Sequence, residues 1–497
     1  MNQTLASLLT LSLLLGACAA PSPVPASTPT PDLFATPWED RTPFQAGLAE
    51  SAQPVLTQLQ GASVYHITFN IAPELYKLTG SEEVRYTNQE TVSLTEIWMR
   101  LFPNTLGGAM AIEDLQVNGA SLTPRYDLND SLMIVPLSTP LEPGQSLTLQ
   151  MRFTVTVPQT VEQNYGVLAY ANDMLTLAHA YPVICVFDDE GWNAEIPPQD
   201  GDVTYADMAF FLVKVTAPKE LTLVTSGSQL SSGEAGQVQS MSVAAGPVRD
   251  FYLAASPQFE AVTLSAGGVT IRSYAGRDSQ AGAELVARVA GQALAVYGKR
   301  YAPYPYTELD LVATPTLALG IEYPGMIAIA DRIYDVNGEY RGAPAEQYIE
   351  STVAHEVGHQ WFYNLVGDDQ LDDPWLDESL TQFATLQYYG DTYGTDGWDS
   401  FLDSLDGRWK RAGYEKKPIG LPVAAYGPLY GPIVYGRGPL FFVALREQMG
   451  TAAFDAFMKY YTATYAWGIA TPQGLQEQAQ TACACDLNPL FSEWVYP

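Results

Sequence analysis

His355-Glu356-Val357-Gly358-His359, followed by Glu378 with eighteen residues between, is the stretch on which the reading of this chain turns. Two imidazoles at i and i+4 lie on one face of a helix about one turn apart, which is the reach needed to grip a single Zn²⁺. A carboxylate from a second helix completes a three-ligand set and leaves a fourth position open for water. Glu356 follows the first histidine directly, so a second carboxylate stands beside the metal, where it can take a proton from that water. The chain has four histidines in all, and two of them are in this run. The candidate ligands are therefore His355, His359 and Glu378, with Glu356 as candidate base. The competing reading is a polar helix face that happens to carry these residues.

The flanking residues predict the two helices independently. No proline interrupts residues 345–366, and Ile349, Val353, Val357, Phe362 and Leu365 recur at near-helical spacing. Gly367-Asp368-Asp369 reads as a stop. The second helix is expected to open with Asp373 as N-cap and Pro374 at the first helical position, where a missing N–H does no harm. Leu376, Leu380, Phe383, Ala384 and Leu386 give it an apolar side, and Glu378 falls in its first turn.

Working outward, 497 residues are too many for one compact core, so two folded domains are expected. Apolar residues make up 47% and charged ones only 16%, which indicates globular structure rather than disorder. A formal charge of −31 argues against nucleic-acid binding, which needs a basic footprint. The acidity itself reads as a solvated surface.

At the N-terminus, Leu5 to Leu15 is an apolar stretch of signal-peptide length, too short to span a bilayer as a mature helix. It ends in Leu15-Gly16-Ala17-Cys18, which resembles the bacterial lipobox. The expectation is a lipoprotein signal over residues 1–17, with lipid on Cys18 anchoring the protein to a bacterial membrane on its extracytoplasmic side. Met1-Asn2-Gln3-Thr4 carries no Lys or Arg, which is unusual for such a signal, and an ordinary cleaved signal with a secreted soluble product is the alternative. Residues 18–52 begin Pro-, Ser- and Thr-rich and read as a tether. The other cysteines, Cys185, Cys483 and Cys485, leave at least one unpaired, and the sequence does not say which.

Residues 53–257 are patterned as strands. Tyr65, Ile67, Phe69 and Ile71 alternate with polar residues, as do Leu147, Leu149, Met151, Phe153, Val155 and Val157. An antiparallel β-sandwich or saddle-like sheet fits this pattern. On it His66 falls on the solvent face, while His179, in an aromatic and acidic stretch, stays open as a substrate-side residue. From about residue 258 the character changes. Leu285, Val289, Ala293 and Val296 form a helical stripe, Leu309 to Ala313 and Met326 to Ala330 read as buried strands, and the two metal helices follow. The fold class is thus multidomain α+β, with a β-rich domain followed by an α/β catalytic domain over residues 258–497. No internal repeat is present.

These residues resemble the M1 family of zinc aminopeptidases, gluzincins that pair HExxH with a later glutamate. The run from His355 through Gln360-Trp361 matches that family's helix, and Trp375-Leu376-Asp377-Glu378-Ser379-Leu380 is similar to its Trp-Leu-Asn-Glu-Gly-Phe motif. Asp188-Asp189-Glu190-Gly191-Trp192-Asn193 is similar to a segment near the end of its β-domain. The resemblance covers roughly residues 55 to 497 and implies a thermolysin-like catalytic domain, one Zn²⁺ per chain, and peptide substrates with free N-termini.

The resemblance also implies two further site elements. Leu319-Gly320-Ile321-Glu322-Tyr323 stands where the family has Gly-x-Met-Glu-Asn. By that correspondence Glu322, with Gly320 before it, would bind the substrate's α-ammonium, measuring one residue to the scissile bond. Tyr435-Gly436-Arg437-Gly438 resembles the family's Tyr-x-Lys-Gly, in which the phenol donates to the oxyanion. Tyr426 and Tyr430 are nearby alternatives for that role. Larger family members add a C-terminal helical domain over the cleft, and the expectation here is a more open cleft. The altered ammonium motif keeps an endopeptidase or dipeptidyl-peptidase open as alternatives, and a non-catalytic peptide-binding lipoprotein is a third.

Overall fold

The computed structural model describes residues 32–198, 201 and 204–496. Cys18, the expected signal and most of the Pro-rich tether lie outside the described residues. Residues 32–52, expected to be tether, pack instead against the folded body. Phe44 and Leu48 are buried, and the Ala49 N–H donates to the Pro305 carbonyl at 2.9 Å. Phe34 and Trp38 stack on His66, with ring centroids 5.0 and 4.2 Å away. His66 is thereby 3% exposed rather than solvent-facing, and burial lowers its pKa to about 4. A strand pattern alone could not reveal that the polar face is covered by aromatics from the preceding segment.

The β-rich part is built on an eight-stranded sheet. Its spatial order runs Ser228–Ala235, Val238–Val248, Ala209–Pro218, Ser63–Ile71, Lys77–Thr87, Ser146–Thr156, Ala109–Val117 and Ala120–Ser121. All neighbours are antiparallel except Ser63–Ile71 and Ala209–Pro218, which run parallel. The long connection between those two strands frees them from hairpin geometry. Tyr65, Ile67, Phe69 and Ile71 line the core as the period-two pattern requires. Two four-stranded sheets and the short pair Phe187–Asp188 and Gly191–Trp192 complete this part among the described residues.

The second part starts from a mixed five-stranded sheet ordered Glu260–Ala266, Val269–Ala275, Glu308–Thr314, Met326–Ala330 and Gly320–Ile321. The short strand Gly320–Ile321 is its edge. Two helices pack beside it, α1 (Gln280–Arg300) and α2 (Ala345–Gly358), and α3 (Leu380–Arg411) packs against them. Gly358 lets α2 and α3 approach closely, since a Cβ there would stand 2.8 Å from Thr381 Cγ2. Shorter helices, ending in Asn488–Trp494, close the outer face.

The helix expected over residues 345–366 ends at Gly358, with His359 as its C-cap. Beyond it the backbone bonds widen to i→i+5, as in Asn364 N–H to His359 O at 3.0 Å and Val366 N–H to Trp361 O at 2.9 Å. Phe362 and Leu365 keep their apolar spacing but are buried from a turn. Arg249 fastens this turn to the β-rich part, donating to the carbonyls of Ala206 at 2.8 Å and Asn364 at 3.1 Å. Cys483 and Cys485 form a disulfide, and Cys185 is free and buried.

Candidate active site

His355 and His359 bring their Nε2 atoms within 3.1 Å of one another. Glu378 Oε2 lies 3.0 Å from the first and 3.4 Å from the second. Ligand atoms 2.0–2.1 Å from a tetrahedral zinc stand ~3.3 Å apart, so the three atoms already have the spacing of three corners of such a shell. Two imidazole lone pairs and a carboxylate oxygen converge this closely only around a cation or a shared proton. All three residues are buried.

The local backbone explains how Glu378 arrives there. Pro374 is the first helical residue, as expected, but it leads into a five-residue π-helical turn, Trp375–Ser379, before α3 begins. Trp375 and Leu376 are buried on one side of the turn and Glu378 faces the histidines on the other. Such wide turns recur at functional sites because they offset one side chain from the regular helical face.

His359 is oriented by its other ring nitrogen. Nδ1 lies against Asp377 Oδ1 and 3.0 Å from the Phe362 carbonyl. With the proton held on Nδ1, Nε2 presents its lone pair to the ligand cluster, as metal-binding histidines require. Asp377 is fully buried, and Gln370 Nε2 donates to its Oδ2 at 2.6 Å and to Glu322 Oε1 at 3.2 Å. One amide thus ties the metal's supporting carboxylate to the candidate ammonium anchor. Gln360 secures the same loop from α2's end, accepting from Gly325 N–H at 2.9 Å and donating to the Tyr323 carbonyl at 3.2 Å.

Glu356 and Glu322 carry carboxyl oxygens that cluster with His359 in a second group of potential ligand atoms, all within 4.8 Å of one another. Burial raises the Glu356 pKa well above the usual carboxylate range; His359 opposes this, while Glu322 and Glu378 reinforce it. Burial likewise takes Glu322 up to about 7. A metal cation at the ligand atoms would favour the ionised forms of both. Gly320 sits directly against the Glu356 carboxyl, where a Cβ would stand 2.4 Å from Oε1. Its side-chain-free position therefore makes room for the candidate base.

Of the three candidate phenols, Tyr435 reaches the ligand set. Its hydroxyl donates to Glu378 Oε1, and its ring lies 6.0 Å from that of His355. Tyr426 spends its hydroxyl on the Ile419 carbonyl and receives Leu421 N–H at 3.2 Å. Tyr430 packs against Tyr435, with ring centroids 5.8 Å apart. His179 lies outside the ligand cluster, buried between Phe102 and Tyr323 with Nε2 3.3 Å from Asp250 Oδ2.

Sequence reasoning assigned no role to Asp377, Gln370 or Gln360. Asp377 was legible as a second carboxylate adjoining a metal ligand. The two glutamines become meaningful only once the 320–325 loop is placed beside α2.

A HExxH helix, a glutamate from the following helical turn and a β-rich part before them define a zinc-metallopeptidase architecture. Residues 287–494 match the Peptidase family M1 domain. Aminopeptidase M1 of Arabidopsis thaliana is 24% identical over 302 residues, covering 58% of this chain and 34% of that protein. Aminopeptidase 2 of Candida albicans is 22% identical over 443 residues, covering 86% and 47%. The chain thus spans a third to a half of the length of these relatives. An M1 zinc metallopeptidase from Deinococcus radiodurans shares the fold, with a TM-score of 0.67, 20% identity and coverage of 88% of this chain and 94% of that one. A mutant of it bound to a Tyr-Ser-Ala substrate aligns with a TM-score of 0.64 and 19% identity, over 88% and 94% of the two chains.

Proposed function

We propose that the protein is a zinc-dependent aminopeptidase that removes single residues from the N-termini of peptides. The observation that carries this is the convergence of His355, His359 and Glu378 with Glu356 and Glu322 beside them. Held by the three ligands, Zn²⁺ would polarise the scissile carbonyl and lower the pKa of the attacking water. Glu356 takes that water's proton and delivers it to the leaving amine. The Tyr435 hydroxyl donates to the oxygen that becomes negative. Glu322, fixed by Gln370, pairs with the α-ammonium and sets the cut one residue in. The Deinococcus protein's structure with a tripeptide substrate supports peptides as the substrate class. No observation favours the endopeptidase, dipeptidyl-peptidase or binding-protein alternatives.

The test is Glu356→Gln, which keeps the ligands and removes the base. It should retain stoichiometric zinc and lose turnover; normal turnover would sink the assignment.

For location, the proposal is a lipid anchor on Cys18 on the extracytoplasmic side of a bacterial membrane, with a secreted soluble form as the alternative. It is supported by the apolar run Leu5 to Leu15 and the Leu15-Gly16-Ala17-Cys18 site. Among the described residues no helix is long and apolar enough to cross a membrane. Cys18→Ala should move the protein from the membrane to the soluble fraction; an unchanged distribution would refute the anchor.

A further inference from the structure

The two sides of the candidate site differ in charge. On the His359 side stand Glu322, Glu356 and Asp377, all buried carboxylates. On the His355 side stands Arg408, half-buried near the end of α3. Its Nη1 donates to the Tyr435 carbonyl at 3.3 Å, the same tyrosine whose hydroxyl meets Glu378. Gly436 allows this approach, since a Cβ there would stand 3.0 Å from Arg408 Cβ. The charge of Arg408 is felt at both His355 and Glu378, and also at Tyr348 and Tyr389. Among the described residues no carboxylate pairs with it.

Arg408 also begins the most basic stretch of an acidic protein. Arg408, Lys410, Arg411, Lys416 and Lys417 place five of the chain's 24 Lys and Arg residues within ten positions. Coincidence at a surface would leave such a cluster anywhere. Here its innermost member adjoins the candidate oxyanion donor.

We propose that Arg408 binds the C-terminal carboxylate of short peptides, so that the site prefers zwitterionic di- and tripeptides. This rests on the aminopeptidase reading and deepens it. A peptide whose ammonium is held at Glu322 puts its first carbonyl at the ligand atoms and runs on toward the His355 side. A di- or tripeptide spans only ~7–10 Å when extended, so its carboxylate arrives while still within the site. A guanidinium meets a carboxylate through two parallel N–H donors, which fixes orientation as well as charge. Longer peptides place a neutral amide at the same position and lose that contact.

The experiment uses the zinc-loaded full chain and a series of two to six residues sharing one N-terminal residue, each as free acid and as C-terminal amide. Wild type should favour the free-acid dipeptide or tripeptide over its amide by ~10-fold or more, chiefly in KM. Arg408→Gln should erase that preference, read as the ratio of acid to amide kcat/KM so that any general loss through the Tyr435 contact cancels, and Arg408→Lys should restore part of it. Equal cleavage of acid and amide by wild type, or a preference that survives Arg408→Gln, would overturn the proposal. Binding of the same short acids and amides to zinc-loaded Glu356→Gln separates the two readings. An acid preference there that Arg408→Gln removes supports Arg408 even if cleavage proves not to be N-terminal, and no preference there refutes Arg408 even if the aminopeptidase reading stands.

Discussion

Replacing Gly320 by alanine adds one methyl group at a place where the structure has no room for it. The new carbon would lie 2.4 Å from Glu356 Oε1 and 2.5 Å from its Cδ and Cγ. Ordinary contacts of this kind are ~3.5 Å, so the carboxyl must withdraw by about 1 Å. Gly320 is not in the left-handed region, and alanine suits its backbone, so the effect falls on the neighbour rather than on the strand. A displacement of about 1 Å in a catalytic group costs on the order of 10²-fold in rate, or ~2.7 kcal/mol in the barrier. The three metal ligands are untouched and zinc content should stay stoichiometric. The assay is kcat/KM on a free tripeptide, with zinc analysis and a melting curve on the same sample. In a Glu356→Gln background the added alanine should cost little more, because the group it displaces is already inactive. A Gly320→Ala variant within about twofold of wild type would refute the claim that Gly320 makes room for a catalytic base.

Other substitutions probe the supporting shell and the sheet. Asp377→Asn removes the charge that holds the His359 Nδ1 proton, and should weaken zinc binding ~10- to 100-fold in chelator competition; an unchanged affinity would exclude this orienting role. Glu322→Ala should lower kcat/KM on free peptides by at least ~10-fold while leaving zinc content unaltered, and equal losses on N-acetylated peptides would exclude ammonium recognition. Glu82 is 1% exposed with no partner for either carboxyl oxygen, and burial holds its pKa well above the usual range. A raised carboxyl pKa means the folded state keeps its proton longer, so stability is full below the unfolded value of ~4.3 and falls as pH rises toward the folded value. Melting curves from pH 5 to 8 should show wild type losing up to ~1.4 kcal/mol per pH unit relative to Glu82→Gln, and parallel curves would mean the carboxyl is not titrating in this way.

The metal ligands were legible because their chemistry is local: two histidines one turn apart announce themselves, and Glu378 follows in the next helical segment. The overall order of a β-rich part before a helical one was legible from the change of period near residue 258. What was over-read has physical causes. Phe362 and Leu365 keep a helical spacing although the backbone has left the helix at Gly358, because a buried turn also needs apolar side chains. The Pro-rich composition of the tether obscured Phe34, Trp38 and Phe44, three aromatics that anchor residues 32–52 to the sheet. The parallel pairing of Ser63–Ile71 with Ala209–Pro218 leaves no mark in either strand's alternation. The approach of Gly320 to Glu356 leaves no mark in the sequence, because it joins a sheet edge to a helix thirty-six positions on. Gln370 and Arg408 act across distances in sequence that no motif spans.

The most direct measurement incubates the zinc-loaded protein with matched peptides carrying free or acetylated N-termini and identifies every product by mass. The free peptides alone should be shortened, by stepwise loss of single residues. Internal cuts in both forms would leave the metal site standing and contradict Glu322 as the anchor that makes the enzyme an aminopeptidase.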